Sequence, residues 1–223
     1  MAYALVTGSN RGIGLALVNH LLARGDRVTA VCRHSSRELG NSGAQVESGV
    51  DVTDELALKR LAERLAGTRF DVAWLNAGIL AQESLGAIDE AGFASLRRQF
   101  EVNALGPLRV VQALLPTFAP GAKLAIVTSR MGSIADNGSG GYYGYRASKA
   151  AVNAIGKSLA VDLKPRDVAV FLMHPGYVAT DMVGGHGDIT PAQSAQRLVT
   201  KLDGLSLADT GTFWHSDGSA LPW

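Results

Sequence analysis

Tyr145 and Lys149 stand four residues apart within Tyr142–Leu163, a stretch whose apolar spacing predicts a helix. Residues four apart on a helix project from one face. A phenol titrates near pH ~10 in water, and a neighbouring ammonium favours the phenolate. A tyrosine so paired can give a proton to a carbonyl oxygen, or take one from an alcohol, near neutral pH. A core tyrosine and a solvated lysine would look the same, so the pair needs company before it carries a reaction. Ser129 follows the apolar run Lys123–Thr128, and its hydroxyl could hydrogen-bond a substrate oxygen and stabilise charge developing there. Ser133 is near enough to compete for that role, and either serine would also suit a plain turn. Asn103 sits inside a long helical stretch as a mediocre helix former, and if buried it needs partners for its amide.

Thr7-Gly8-Ser9-Asn10-Arg11-Gly12-Ile13-Gly14 lies between an apolar run and a helical run. Glycine lets the backbone turn tightly and approach a phosphate, and the helix start supplies N–H donors with a positive dipole end. Three residues separate Gly8 from Gly12, which departs from the general G-x-G-x-x-G spacing.

The elements that must position these groups alternate. Strands are expected at Tyr3–Thr7, Arg27–Cys32, Val46–Val52, Val72–Asn76, Lys123–Thr128, Val168–His174 and Gly211–His215. Helices are expected at Ile13–Arg24, at Glu55–Ala66 with Asp54 as cap, at about Asp89–Leu115 with a kink at Gly106-Pro107, at Tyr142–Leu163, and at Pro191–Leu202. Continuous apolar strands alternating with helices imply an α/β fold: a single doubly wound (Rossmann) domain over residues 1–223, with a parallel seven-stranded sheet flanked by helices. In such sheets ligands sit at the carboxyl ends of the strands, where every group above falls.

Bulk composition narrows the function classes. The chain is 47% hydrophobic and 18% charged with a formal net charge of +1, which points to no nucleic-acid and no anionic-membrane partner. Cys32 is the one cysteine, so no intramolecular disulfide can form. No apolar run reaches the ~18 residues of a membrane span, and the first residues lack a signal-peptide pattern, so the expected location is cytoplasmic. The five histidines have no metal-ligand spacing, and no catalytic metal is expected.

The ordered set is more specific than its parts. TGSNRGIG from residue 7, Asn76-Ala77-Gly78, Asn103, Ser129, Tyr145 with Lys149, and Pro175-Gly176 follow one another across nearly the whole chain. This order resembles the short-chain dehydrogenase/reductase superfamily. Within it, SRMGSIADNGSGGYYGYRASKAAVN (129–153), HPGYVATDM (174–182) and GTFWHSDGSALPW (211–223) resemble the C-factor and Sniffer-type carbonyl reductases. The resemblance implies hydride transfer between a nicotinamide and a carbonyl or secondary alcohol. It implies that Gly8, Asn10, Arg11, Gly12, Ile13 and Gly14 surround the pyrophosphate end, and that Asp51 contacts the adenine with Val52 beside it. It implies that Asn76, Ala77 and Gly78 line the cofactor and steady the sheet. Ser129, Tyr145 and Lys149 are the implied catalytic triad, with Asn103 positioning a water and Lys149 also binding the nicotinamide ribose. Pro175, Gly176, Val178 and Thr180 are implied at the carboxamide end. Leu75 and Thr128 depart from the common pattern, and the gap from Ser129 to Tyr145 is longer than usual, which keeps Ser133 open as an alternative.

The second strand ends at Val31-Cys32-Arg33, where an enzyme using NAD would place an acid for the ribose 2′-hydroxyl. No acid is there, while Arg33 and Arg11 could converge on a 2′-phosphate, so NADP(H) is favoured over NAD(H). Cys32 is expected beside the adenosine. Met182–Ile189 is expected as a lid made mobile by its glycines, with Met131, Tyr142, Tyr143, Tyr177 and Met182 lining a pocket for a small carbonyl or alcohol. The superfamily resemblance leaves homodimer, homotetramer and monomer open. A non-catalytic cofactor-binding signalling protein, and an isomerase or dehydratase using the same site, are the competing functions.

Overall fold

The buried run Tyr3–Thr7 forms strand β1, and the glycine-rich turn after it leads into helix α1, Gly12–Ala23. Strand β2, Arg27–Val31, is followed by a four-residue helix α2, Arg37–Gly40, which Ser36 caps. Strand β3 is short, Gln45–Glu47, and helix α3 spans Glu55–Arg64. Asp54 caps α3 as expected, its carboxylate accepting from the Leu56 and Ala57 N–H groups. Strand β4 is Phe70–Leu75; α4 is Glu90–Phe100 and α5 is Gly106–Leu114. Then come β5, Phe118–Val127; α6, Tyr143–Leu163; β6, Ala169–His174; α7, Pro191–Asp203; and β7, Thr212–His215. The computed structural model describes residues 1–223.

The seven strands make one all-parallel sheet in the order β3-β2-β1-β4-β5-β6-β7. The winding reverses between β1 and β4, which opens a crevice at their carboxyl ends. Successive side chains on each strand face opposite layers. Trp74 therefore packs with α1 and α7 residues such as Leu17 and Leu198, while Ala73 and Leu75 pack with Leu58, Val110 and Val152 of α3, α5 and α6. No helix is long and apolar enough to cross a membrane.

Four expectations need correction, the first being the fifth strand, which begins at Phe118 rather than Lys123. The third strand ends at Glu47 rather than Val52, because Gly49 turns the chain with φ +77°, although Val50 still donates to the Cys32 carbonyl at 3.1 Å. The stretch Asp89–Leu115 is not one kinked α-helix: a π-helical turn, Glu101–Leu105, separates α4 from α5. Pro107 has no N–H to give the Asn103 carbonyl four residues back, so the regular ladder cannot continue through it. Helix α6 starts at Tyr143, since Tyr142 is left-handed at φ +51°.

Candidate active site

Thr7 and Asn76, at the ends of β1 and β4, knit the crevice together. The Thr7 hydroxyl accepts from the Asn76 and Ala77 N–H groups at 3.0 and 3.2 Å. The Asn76 amide donates to the Thr7 and Gly8 carbonyls, both at 3.1 Å. A Cβ at Gly14 would lie 2.1 Å from the Gly8 carbonyl oxygen and 2.7 Å from the Asn76 amide nitrogen. Gly14 is thus needed for close packing under the turn, and it lines neither of the two cavities of the crevice.

Two cavities open along the crevice. The smaller, about 570 Å³, is lined by Gly8, Asn10, Arg11, Gly12, Ile13, Cys32, Arg33, Asp51, Val52, Asn76, Ala77, Gly78 and Thr180 among others. The larger, about 910 Å³, gathers Ser129, Tyr145, Lys149, Pro175, Gly176 and Val178. Ile13, Asn76, Gly78, Ile79, Thr180 and Met182 line both, so the two form one elongated tract across the switch point.

Arg11 and Arg33 do reach one cavity, each beside a carboxylate: Arg11 is 3.3 Å from Asp181, and Arg33 is 3.9 Å from Asp51. Asp51 also takes bonds from the Thr53 N–H and hydroxyl, at 2.9 and 2.8 Å, and from Arg98 at 3.2 Å. Burial pushes the Asp51 carboxyl up, but these donors outweigh it and hold it below its usual range. Arg98 lines this cavity and escapes a reading of the sequence, because it lies on α4, far from the glycine turn. Cys32 lines this smaller cavity, and burial raises its thiol pKa.

In the larger cavity Tyr145 and Lys149 are both buried. Burial pushes the phenol up to about 12, against the nearby Ser129 hydroxyl, which acts to lower it. Burial also pulls the Lys149 ammonium down to about 8. The lysine does not bond the phenol. Its Nζ donates to the Val127 carbonyl at 2.9 Å and lies 5.7 Å from the tyrosine ring centre. The expected lowering of the tyrosine by Lys149 is not found: its own burial raises the phenol, and the lysine is not among the groups that oppose this.

Ser129 lines the cavity and also accepts from the Met131 N–H at 3.1 Å. Ser133 does not line it. It is buried, with its hydroxyl accepting from the Asp136 N–H at 3.1 Å. Asn103 lines neither cavity. Its side chain accepts from the Ile79 N–H at 2.8 Å and donates to the Ile79 carbonyl and the Ser148 hydroxyl at 2.9 and 3.0 Å. It fastens the loop after β4 to the helix that carries Tyr145.

Met131, Tyr142, Tyr177 and Met182 line the larger cavity, but Tyr143 points to solvent. Of the expected lid only Met182 and Val183 reach it. The lid's ends are tied: Ala179 donates to the Ile189 carbonyl at 2.9 Å and Asp188 to the Tyr177 carbonyl at 2.8 Å. Gly187 serves close approach rather than mobility, since a Cβ there would lie 2.2 Å from the Ala179 nitrogen. His174, unforeseen, ends β6 inside this cavity. Burial, then His215 and Arg130, pull its imidazole down to about 3, and its Nδ1 has no partner.

Comparison with known proteins agrees with this geometry. Residues 2–190 match the family model for short chain dehydrogenase. The chain is 42% identical, over the whole of both chains, to 1-hydroxy-2-glutathionyl-2-methyl-3-butene dehydrogenase of Rhodococcus sp. (strain AD45). It is 42% identical to C-signal of Myxococcus xanthus over 69% of this chain and 92% of that one. Among solved structures, the carbonyl reductase Sniffer of D. melanogaster superposes with a TM-score of 0.90 at 29% identity, covering 100% of both chains. The NADPH-bound carbonyl reductase from chicken fatty liver gives 0.89 at 29% identity, covering 100% of this chain and 99% of that one. With its seven-stranded parallel sheet and its tract across the switch point, the chain belongs to the short-chain dehydrogenase family and is an oxidoreductase with a nucleotide-cofactor site.

Proposed function

We propose that the chain is an NADP(H)-dependent carbonyl reductase, reversible as an alcohol dehydrogenase, with Tyr145 as the general acid/base. The observation that carries this is the continuous tract. Its one end holds the glycine turn and two arginines, and its other end holds Ser129, Tyr145 and Lys149. The residues present fit a phosphorylated dinucleotide. The turn leads into the N-terminus of α1, where free N–H groups favour phosphate. Arg11 and Arg33 suit a 2′-phosphate, and no acid stands at the end of β2 to bond a 2′-hydroxyl. Bound there, NADPH supplies the hydride.

The protein's own residues handle the proton. With its pKa pushed up to about 12, Tyr145 carries its proton at neutral pH and can donate it to a carbonyl oxygen as negative charge develops there. Ser129, lining the same cavity, supplies a second donor to that oxygen. Lys149, pulled down to about 8, is mainly an ammonium at pH 7, and its charge favours the phenolate left after transfer. Asn103 holds the loop at Ile79, and because Pro107 has no N–H to give its carbonyl, that carbonyl can hold a water on the way to Lys149. Gly78 separates the two residues closely: a Cβ there would lie 3.2 Å from the Asn103 amide oxygen and 3.7 Å from the Lys149 Nζ.

The relative from Rhodococcus is named for a hydroxyl-bearing substrate and the structural neighbours for carbonyl reduction, which supports the same chemistry here. The test is a titration of NADPH against NADH, followed by turnover on a panel of aldehydes, ketones and quinones. Tighter NADPH binding and turnover that collapses in Tyr145→Phe support the proposal. Cofactor binding without turnover on any carbonyl or alcohol would favour a signalling protein, and a product with no net redox change would favour an isomerase or dehydratase.

A further inference from the structure

On the reading above, the nicotinamide end takes the part of the larger cavity beside Lys149, Pro175 and Gly176, and the rest of its volume of about 910 Å³ is left for substrate. The outer wall of that cavity contains Gln82, Arg130, Asp136, Ser139, Tyr142 and Arg146. None of these has a part in proton transfer. Two are guanidinium groups, and a single carboxylate stands among them.

That carboxylate is already taken. Asp136 accepts from the Arg130 Nε at 2.8 Å. Arg146 is different, with no carboxylate in ion-pair contact. Its three nitrogens donate only to neutral oxygens: Nε to the Gly140 carbonyl at 3.2 Å, Nη1 to the Met131 carbonyl at 3.4 Å, and Nη2 to the Ser139 hydroxyl at 2.7 Å. A guanidinium has five N–H groups, so one remains on each terminal nitrogen. The side chain is half-buried and held at three points, so little freedom is lost when it takes a ligand. Its planar fork matches a carboxylate. With Lys149 at the inner end, the lining carries three cations and one carboxylate, and His174 adds no charge at neutral pH.

We propose that the substrate carries a carboxylate set away from its reacting carbonyl or hydroxyl carbon, and that Arg146 binds it. This rests on the oxidoreductase reading above and names the substrate class for the same site. Arg130 stands beside Arg146 as a weaker contributor, because Asp136 occupies it.

The test separates binding from turnover. Tyr145→Phe is titrated by ligand-observed NMR with 4-carboxybenzaldehyde and with its uncharged analogue methyl 4-formylbenzoate. The acid is expected to bind about tenfold tighter than the ester. Adding Arg146→Gln brings the ratio towards one, and Arg146→Lys keeps part of it. Adding Asp136→Asn instead removes the one carboxylate of the wall and raises the ratio. A ratio near one in Tyr145→Phe overturns the proposal, as does Arg146→Gln weakening both probes with the ratio preserved. If Arg146→Gln loses both probes through disturbance of its loop, the Asp136→Asn variant decides, and no rise in its ratio overturns the proposal. The wild-type protein is then assayed on both aldehydes with NADPH. Selective acid binding without turnover of either aldehyde would count against the reductase reading and leave the anion site standing. Turnover of both with no binding preference would overturn the anion site alone.

Discussion

The Lys149 ammonium donates to the Val127 carbonyl at 2.9 Å, at the end of β5, while the ring centre of Tyr145 lies 5.7 Å from the same nitrogen. One buried charge thus faces a strand end, with the phenol beside it rather than bonded to it. The stability of the fold and the chemistry of the site pull in opposite directions at this lysine.

Lys149→Met should cost turnover by about 10²-fold or more and yet stabilise the fold at pH 7. The ammonium is pulled down to about 8 from the usual 10.5 by burial. A lowered folded-state value means that stability is fully present above pH 10.5 and is lost as pH falls through 8. Wild-type stability therefore rises between pH 8 and 10. Above that range Tyr145, pushed up to about 12, acts in the opposite sense. The methionine variant should be more stable by about 2 kcal/mol at pH 7, after allowing for the lost hydrogen bond, with the gap narrowing towards pH 10. Thermal melts at pH 7 and 9.5 check it.

Tyr145→Phe should lower kcat for carbonyl reduction by about 10²- to 10⁴-fold while the cofactor still binds. Because the phenol titrates near 12, the wild-type reduction rate should hold across neutral pH, and alcohol oxidation, which needs the phenolate, should climb with pH. Rates measured in both directions from pH 6 to 10 decide this.

Arg33→Ala should weaken NADPH binding by about tenfold and leave NADH within about threefold, since only the 2′-phosphate loses a partner. The Arg33 to Asp51 contact is long, at 3.9 Å, so that guanidinium is free to turn towards a phosphate. Equal weakening of both nucleotides in a fluorescence titration would remove Arg33 from cofactor choice.

Asn103→Leu should destabilise by about 2–4 kcal/mol, because both Ile79 backbone groups and the Ser148 hydroxyl lose their partner in a buried place. Urea denaturation measures the cost. Gly187→Ala should raise KM for substrate more than it lowers kcat, since a Cβ at 2.2 Å from the Ala179 nitrogen must open the loop that carries Met182.

The alternation of elements is legible in the sequence because buried parallel strands are continuous apolar runs and their turns carry glycine. Tyr145, Lys149 and the glycine turn are legible for the same reason: each sits at a strand end or in the helix after it. The choice between Ser129 and Ser133 is not, since both follow β5 closely. Only the fold reveals that Ser129 lines the cavity while Ser133 is buried away from it. Arg98 and His174 are hidden differently. Arg98 reaches Asp51 from 47 positions away, and His174 reads as an ordinary strand end until its cavity is seen.

The turn at Glu101–Leu105 resists such reading most of all. Gly106-Pro107 signals an interruption, but its form depends on Ile79 and Ser148, which hold Asn103 from 24 and 45 positions away. A π-turn amounts to an α-helix that has absorbed one surplus residue. Deleting Ala104 would remove that residue and turn all that precedes the gap by roughly a quarter of a revolution against all that follows, with Pro107 still lacking its N–H. Asn103 would then face away from the loop it fastens. In this segment the number of residues is constrained along with their kind, because it sets the direction in which Asn103 faces.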